Sequence, residues 1–430
     1  MRSKIQIGLV LSCCVIVIWL LEQLYHHLRI VYENNGTLAQ SDYSWLFRLL
    51  LNCVGYSTVL LPAFVLYKYL DKINYFDKIS NSTWISRLLH TLYAEQNERI
   101  PETVKPKDDE KREVLEMLFC FSGLMGSYLI WGLLQEKIMT QEYVWEDGSV
   151  SRFNDSQFLV LINRVSAFAL ALGRLRWTGE PVFAAPLYKF SYCSLTNIVS
   201  AWCQYEALKY VSFPTQVLSK SCKVIPVMAM GKLVSRAHYQ PYEYLTAFLI
   251  SAGMALFLFG THDHAQASTA TGVSGVCLLA LYMACDSFTS SWQAALFQRY
   301  PLRPLQMMCA VTLCSCALAL ASAPLRAATL ALLRHPVFVV DCLLLSASSA
   351  LGQVLIYRTI ARFGAVVFTI IMTLRQAVSI LMSCLVYGHA VSWWGAGGVL
   401  LVFAAVFLRI HCRRRARSRQ SLPALGKPVQ

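Results

Sequence analysis

The sequence predicts an all-α polytopic membrane protein, with a ten-helix core built as an inverted repeat of five plus five and about two further spans ahead of it. Three observations predict this. Only 14% of the residues are charged and 56% are hydrophobic, with a mean hydropathy of +0.47, whereas a soluble domain carries about a quarter charged residues. The charges are confined to short intervals between apolar runs of about 20 residues, the length a helix needs to cross a hydrocarbon core. The basic residues also favour alternate connections, as the positive-inside rule requires of a chain threaded through a membrane.

The first run, Ile5–Leu21, follows Arg2 and Lys4 and is not followed by a small-residue cleavage pattern, so it reads as a retained anchor rather than a cleaved signal. A second span covers Trp45–Tyr67, and residues 1–70 form an N-terminal pair of spans. Residues 71–113 are polar, carry both signs of charge and hold Pro101 and Pro106, which predicts a mobile cytosolic linker. Ten more spans follow, at 114–137, 156–177, 187–208, 212–233, 242–260, 272–293, 304–324, 337–358, 363–386 and 391–410. They divide into a first half at 114–260 and a second at 261–410, and residues 411–430 are a basic tail.

With both termini in the cytosol, the large majority of the 38 Lys and Arg residues fall on cytosolic segments. That orientation makes Asn35, in Asn35-Gly36-Thr37, a luminal glycosylation candidate and leaves the sequon at Asn81 cytosolic. The sequon at Asn154 is luminal but pressed against a span. Five spans per half is an odd number, so the halves run in opposite senses. Sliding one half onto the other places Lys223 on Arg375, Met230 on Met382, Leu233 on Leu385 and Val234 on Val386. Of these, the match of cation on cation at mid-span is the informative one.

The net charge of +14 does not point to nucleic acid, because much of the excess sits in the tail, from Arg409 to Arg419. Basic residues after a last span anchor a chain beside anionic lipid. Most of the 15 cysteines lie within apolar runs without metal-ligand spacing and read as packing residues. His262-Asp263-His264 reads as an exposed polar loop rather than a metal site, and Gly395-Ala396-Gly397-Gly398 as a close helix contact rather than a phosphate loop.

A charge at mid-span costs about 2.5–3.5 kcal/mol on insertion scales and so needs a reason. Arg164, Lys220, Lys223 and Arg375 all lie near the centres of their spans, with no matching set of central acids. Lys220 and Lys223 are three residues apart, so on one helix they share a face with Gln216 and Ser219. Such a face gains from a bound polyanion. Pro214 and Pro226 flank the pair and free backbone groups, which suits a helix lining a cavity. Arg375 is followed by Gln376 and lies one turn before Ser379. Tyr205, Tyr282, Trp292 and Phe368 offer rings on which a base can stack, although each is also an ordinary packing aromatic. The bland alternative is that the cations pair with Asp286 and Glu206, and Arg164 fits that reading well.

Several stretches carry a resemblance: Asp155–Arg164, Ser200–Lys209, Ser212–Lys220, the Lys-x-x-Lys-x-x-Pro run from Lys220 to Pro226, and Phe363–Gln376, which ends Thr373-Leu374-Arg375-Gln376. Over about residues 40–410 the chain resembles the nucleotide-sugar transporter family of the drug/metabolite transporter superfamily, closest to the branch that carries the phosphosulfate donor. The resemblance implies a Golgi antiporter that imports adenosine 3′-phospho 5′-phosphosulfate in exchange for adenosine 3′,5′-bisphosphate. It maps the substrate-contacting cations onto Lys220, Lys223 and Arg375, calls for no cofactor and leaves a homo-oligomer open. Residues 1–35 lie outside it. A nucleotide-sugar carrier of different substrate is the runner-up. A membrane-embedded transferase is disfavoured, since no Asp-x-Asp pair and no core-span histidine is present, and a receptor or scaffold would not require central cations.

Overall fold

The computed structural model describes residues 2–34, 44–75, 84–94, 110–140, 142–144, 150–152, 156–207, 210–211, 219–220, 222–261, 273–322, 335–386 and 393–421. The described chain is helical apart from one short hairpin. Its elements are α1 (Arg2–Asn34), α2 (Ser44–Lys72), α3 (Trp84–Tyr93), α4 (Glu110–Thr140), β1 (Glu142–Val144), β2 (Val150–Arg152), α5 (Ser156–Trp177), α6 (Tyr188–Ala207), α7 (Val224–Ser235), α8 (Pro241–Thr261), α9 (Val273–Arg299), α10 (Pro304–Ser322), α11 (Pro336–Phe363), α12 (Ala365–Val386) and α13 (Trp393–Ser421). Eleven of the twelve expected spans coincide with one of these helices each, and the span expected at 212–233 does so only in part, on α7. A segment inside lipid must satisfy its backbone groups internally, which the helix does within one segment.

Among the described residues, six helices are long and apolar enough to cross a membrane: α1, α2, α4, α9, α11 and α13. Val224–Ser235 of α7, Pro304–Leu320 of α10 and Ala365–Val378 of α12 are shorter apolar stretches. α5 and α6 carry more polar residues. Arg164, Arg174 and Arg176 lie on α5, and Lys189, Asn197, Gln204 and Glu206 on α6.

The chain forms two compact units, and each draws on both halves of the sequence. Met1–Val199 with Gln293–Arg362 makes one, and Ser200–Trp292 with Phe363–Gln430 makes the other.

In the first unit α1 packs along α2, and α10 packs against α2 and α5. Ser346 of α11 donates to Asn163 of α5 at 3.0 Å, and Ser194 of α6 donates to the Val311 carbonyl of α10 at 3.0 Å. α3 falls within the stretch expected to be a mobile linker. Its Leu89 and Tyr93 bury themselves with Leu70 and Tyr75, against Tyr67 and Tyr188. Tyr93 also donates to the Ala63 carbonyl at 3.0 Å. The polar composition of the linker hid this one amphipathic turn-and-a-half of apolar contact. The hairpin pairs Glu142 with Arg152 and Tyr143 with Ser151. Tyr143 is buried edge-on against Phe338 and donates to Asp341, which also pairs with Lys137 at 2.8 Å.

In the second unit α8 packs along α13, and α7 packs on α8 and α12. Met254 and Phe257 of α8 bury themselves with Ala377 of α12 and Val402 of α13, backed by Leu374 and Val399. The α8–α13 crossing depends on glycine. A Cβ on Gly398 would fall 2.4 Å from the Phe257 nitrogen and 2.6 Å from the Gly253 carbonyl oxygen, so Gly398, facing Gly253, brings two backbones together.

Candidate functional site

The span expected at 212–233 is not one described helix. Ser219 and Lys220 are helical, Cys222 and Lys223 form a turn, and α7 starts at Val224 with Lys223 as its N-cap. Pro226 explains the start. Its ring would clash with the carbonyl four residues back, at Cys222, if the helix ran on in the N-terminal direction. In the first turn of a new helix its missing N–H costs nothing, since those donors have no intrahelical partner anyway. Lys220 and Lys223 therefore do not share one continuous helical stripe, as their spacing predicted. They stand on either side of a helix start, whose dipole adds positive potential between them.

Lys223 extends to α9 and forms an ion pair with Asp286, with both side chains largely buried. Lys220 is half-buried and lies within electrostatic range of Arg375, Asp286 and Lys223. Arg375, half-buried on α12, faces this cluster because its neighbours Leu374 and Ala377 take the opposite side into the α8–α13 core. Lys220 thus lies within range of two further cations, Lys223 and Arg375, and of the carboxylate that pairs with Lys223, all within the second unit. Tyr282, one turn before Asp286 on α9, is buried and close enough to feel that carboxylate. Ser291 of α9 donates to the Val227 carbonyl at 3.4 Å and holds α7 beside α9.

The other expected site residues divide. Gln376 is half-buried on α12, about 100° further round the helix than Arg375. Arg164 belongs to the first unit, where it donates to the Asn197 side-chain oxygen at 2.9 Å. Tyr205 lies on α6, but its side chain is outside the described residues, as are all of Gln216, Asn35 and His262-Asp263-His264. Phe368 is buried in α12, and Trp292 stacks on Phe288 at 5.6 Å. Among the described residues no group of three or more His, Cys, Asp and Glu side chains is placed to hold a metal. The sequence reading named Asp286 as a possible neutralising acid; that it reaches Lys223 from another helix is something only the fold supplies.

A polytopic helical body that turns charged side chains inward at a broken span has the build of a membrane transporter rather than an enzyme. The chain belongs to the UAA transporter family, whose model matches residues 116–413. It is 48% identical to the adenosine 3′-phospho 5′-phosphosulfate transporter 1 of Drosophila melanogaster over 422 residues, which covers 92% of this chain and 90% of that protein. It is 45% identical to the Homo sapiens protein of the same name over 398 residues, 90% of this chain and 92% of the other. It is 35% identical to the UDP-galactose/UDP-glucose transporter 5 of Arabidopsis thaliana over 352 residues, 76% of this chain and 99% of the other.

Proposed function

We propose that this chain is an antiporter that brings adenosine 3′-phospho 5′-phosphosulfate into the Golgi lumen and returns adenosine 3′,5′-bisphosphate to the cytosol. The observation that carries this reading is the clustering of Lys220 with Lys223 and Arg375 beside the start of α7. A cluster of cations near mid-span is one that a polyanion can neutralise, and the donor has a phosphomonoester and a phosphosulfate to offer. The names of the relatives that match most of the chain support the same substrate. In this reading Gln376, Gln216 and Tyr205 complete the ligand's surroundings, and both termini lie in the cytosol. α7 and α12, which carry the matched cations, are equivalent members of a five-plus-five inverted repeat.

The runner-up substrate is a UDP-sugar, favoured by the likeness to the Arabidopsis transporter. Such a donor carries its charge on a diphosphate and lacks a terminal phosphomonoester. Purified protein in liposomes, offered labelled phosphosulfate donor, decides between them. Competition by adenosine 3′,5′-bisphosphate and not by UDP-galactose is the expected result. Uptake of UDP-galactose without uptake of the phosphosulfate donor would replace the reading with its runner-up.

A further inference from the structure

We propose that Asp286 is a built-in counter-ion that stands in for the ligand, holding Lys223 when no anion is bound and giving it up when one enters. The proposal rests on the anion-carrier reading above and deepens it by giving the carboxylate beside those cations a role of its own.

The geometry supports it in three ways. First, the carboxylate and the ammonium come from different helices, α9 and the start of α7, so the pair is a tertiary contact that can open without unwinding either helix. Second, the pair is not sealed: the Asp286 side chain keeps 24% of its exposure and that of Lys223 keeps 14%. Third, Lys220 lies within electrostatic range of Asp286, so the carboxylate has another cation to turn to once Lys223 is taken. The Ser291–Val227 contact meanwhile keeps α7 beside α9.

Two consequences follow from competition. A phosphate that takes Lys223 must break an existing ion pair, so Asp286 weakens binding of the anion it helps to exchange. On release the same carboxylate reclaims Lys223, so a strongly attractive site does not retain its product. A carboxylate that merely oriented Lys223 for the ligand would act in the opposite sense and strengthen binding.

The test is a titration of purified full-length protein with adenosine 3′,5′-bisphosphate, paired with the exchange rate in liposomes. Asp286→Asn is expected to lower Kd about fivefold to tenfold, a typical coupling between two groups that share one partner. It is also expected to lower the maximal exchange rate, because nothing then takes the place of the departing anion. A purely structural role would not separate the two quantities in this way. Weaker binding by a folded Asp286→Asn protein would overturn the proposal. If that single variant does not fold, Lys223→Met is compared with the double variant Lys223→Met, Asp286→Asn. With Lys223 gone the carboxylate only repels the ligand, so the double variant should bind more tightly than Lys223→Met, and equal or weaker binding counts against the proposal. A wild-type protein that binds UDP-galactose and not the bisphosphate would sink the substrate reading alone. The same two comparisons made with UDP-galactose then decide the role of Asp286.

Discussion

Arg409 of α13 donates to Glu243 of α8 at 3.1 Å, and only 9% of the Arg409 side chain remains exposed. Glu243 also accepts from the Gln240 backbone N–H at 3.0 Å, so the carboxylate caps the start of α8 while it pins α13. Read as sequence, Arg409 is simply the first of a run of basic tail residues. In the fold it is a buried member of a helix–helix tie. Glu243→Ala leaves the guanidinium without this partner, and breaking a buried pair from one side costs about 3 kcal/mol. A lowered Tm in detergent is expected, with less loss in the double variant Glu243→Gln, Arg409→Met. An unchanged Tm for Glu243→Ala would show that the tie carries no stability.

The same helix pair offers a second, purely steric test. Gly398→Ala places a methyl group 2.4 Å from the Phe257 nitrogen, so α8 and α13 must separate. Overpacking of this kind costs about 1–3 kcal/mol, and backbone atoms yield less readily than side chains. Gly397, one residue away, has no atom within 4 Å of its added Cβ. Gly397→Ala should therefore be neutral or slightly stabilising, and thermal unfolding of the two variants side by side checks the difference.

The spans were legible in the sequence because the membrane imposes one rule on every crossing segment, an apolar run of sufficient length. The cations of the site were legible for the complementary reason that mid-span charge is costly and so stands out. What the sequence hid was relational. Asp286 could be seen as a central acid, but its choice of Lys223 depends on how α9 lies against α7. The break before α7 was signalled by Pro226, yet hydropathy alone ran a continuous span through it. The hairpin of β1 and β2 had a local sign in Asp147-Gly148 between two short β-prone runs, although its anchor, Tyr143 on Phe338, is nearly 200 residues away in the chain. α3 was missed because its apolar face is short and set in a strongly polar stretch.

Topology gives a third prediction. The distribution of Lys and Arg places the C-terminal tail in the cytosol and residues 262–271 in the lumen. With only the plasma membrane permeabilised, antibody should reach a tag at the C-terminus and not one inserted after Thr261. The reverse pattern would overturn this orientation.

For the site itself, Lys223→Met and Arg375→Met should each abolish uptake while the protein is still made, folded and delivered to its membrane. In either variant Lys220 remains within electrostatic range of Asp286, so that carboxylate is not left alone. Uptake at the wild-type rate in both variants would refute the anion site. Loss of folding in both would mean that these cations serve structure rather than ligand.

Charge matching leads to the most direct test of the whole account. The phosphosulfate donor carries a terminal phosphate and a phosphosulfate, about −4 in all near neutral pH, and adenosine 3′,5′-bisphosphate with both phosphomonoesters ionised is also about −4. One-for-one exchange is then nearly electroneutral, whereas moving either ion alone works with or against about 2.3 kcal/mol per charge per 100 mV. Without an anion, the cation cluster must cross a low-dielectric gate with Asp286 as a weaker substitute for the ligand's charge, which makes return of the unloaded carrier slow. The measurement is the initial rate of labelled donor uptake into liposomes with and without preloaded bisphosphate, at zero and at imposed membrane potential. The account predicts uptake far faster into preloaded vesicles and little change with potential; equal rates into empty vesicles, or a steep voltage dependence, would contradict it.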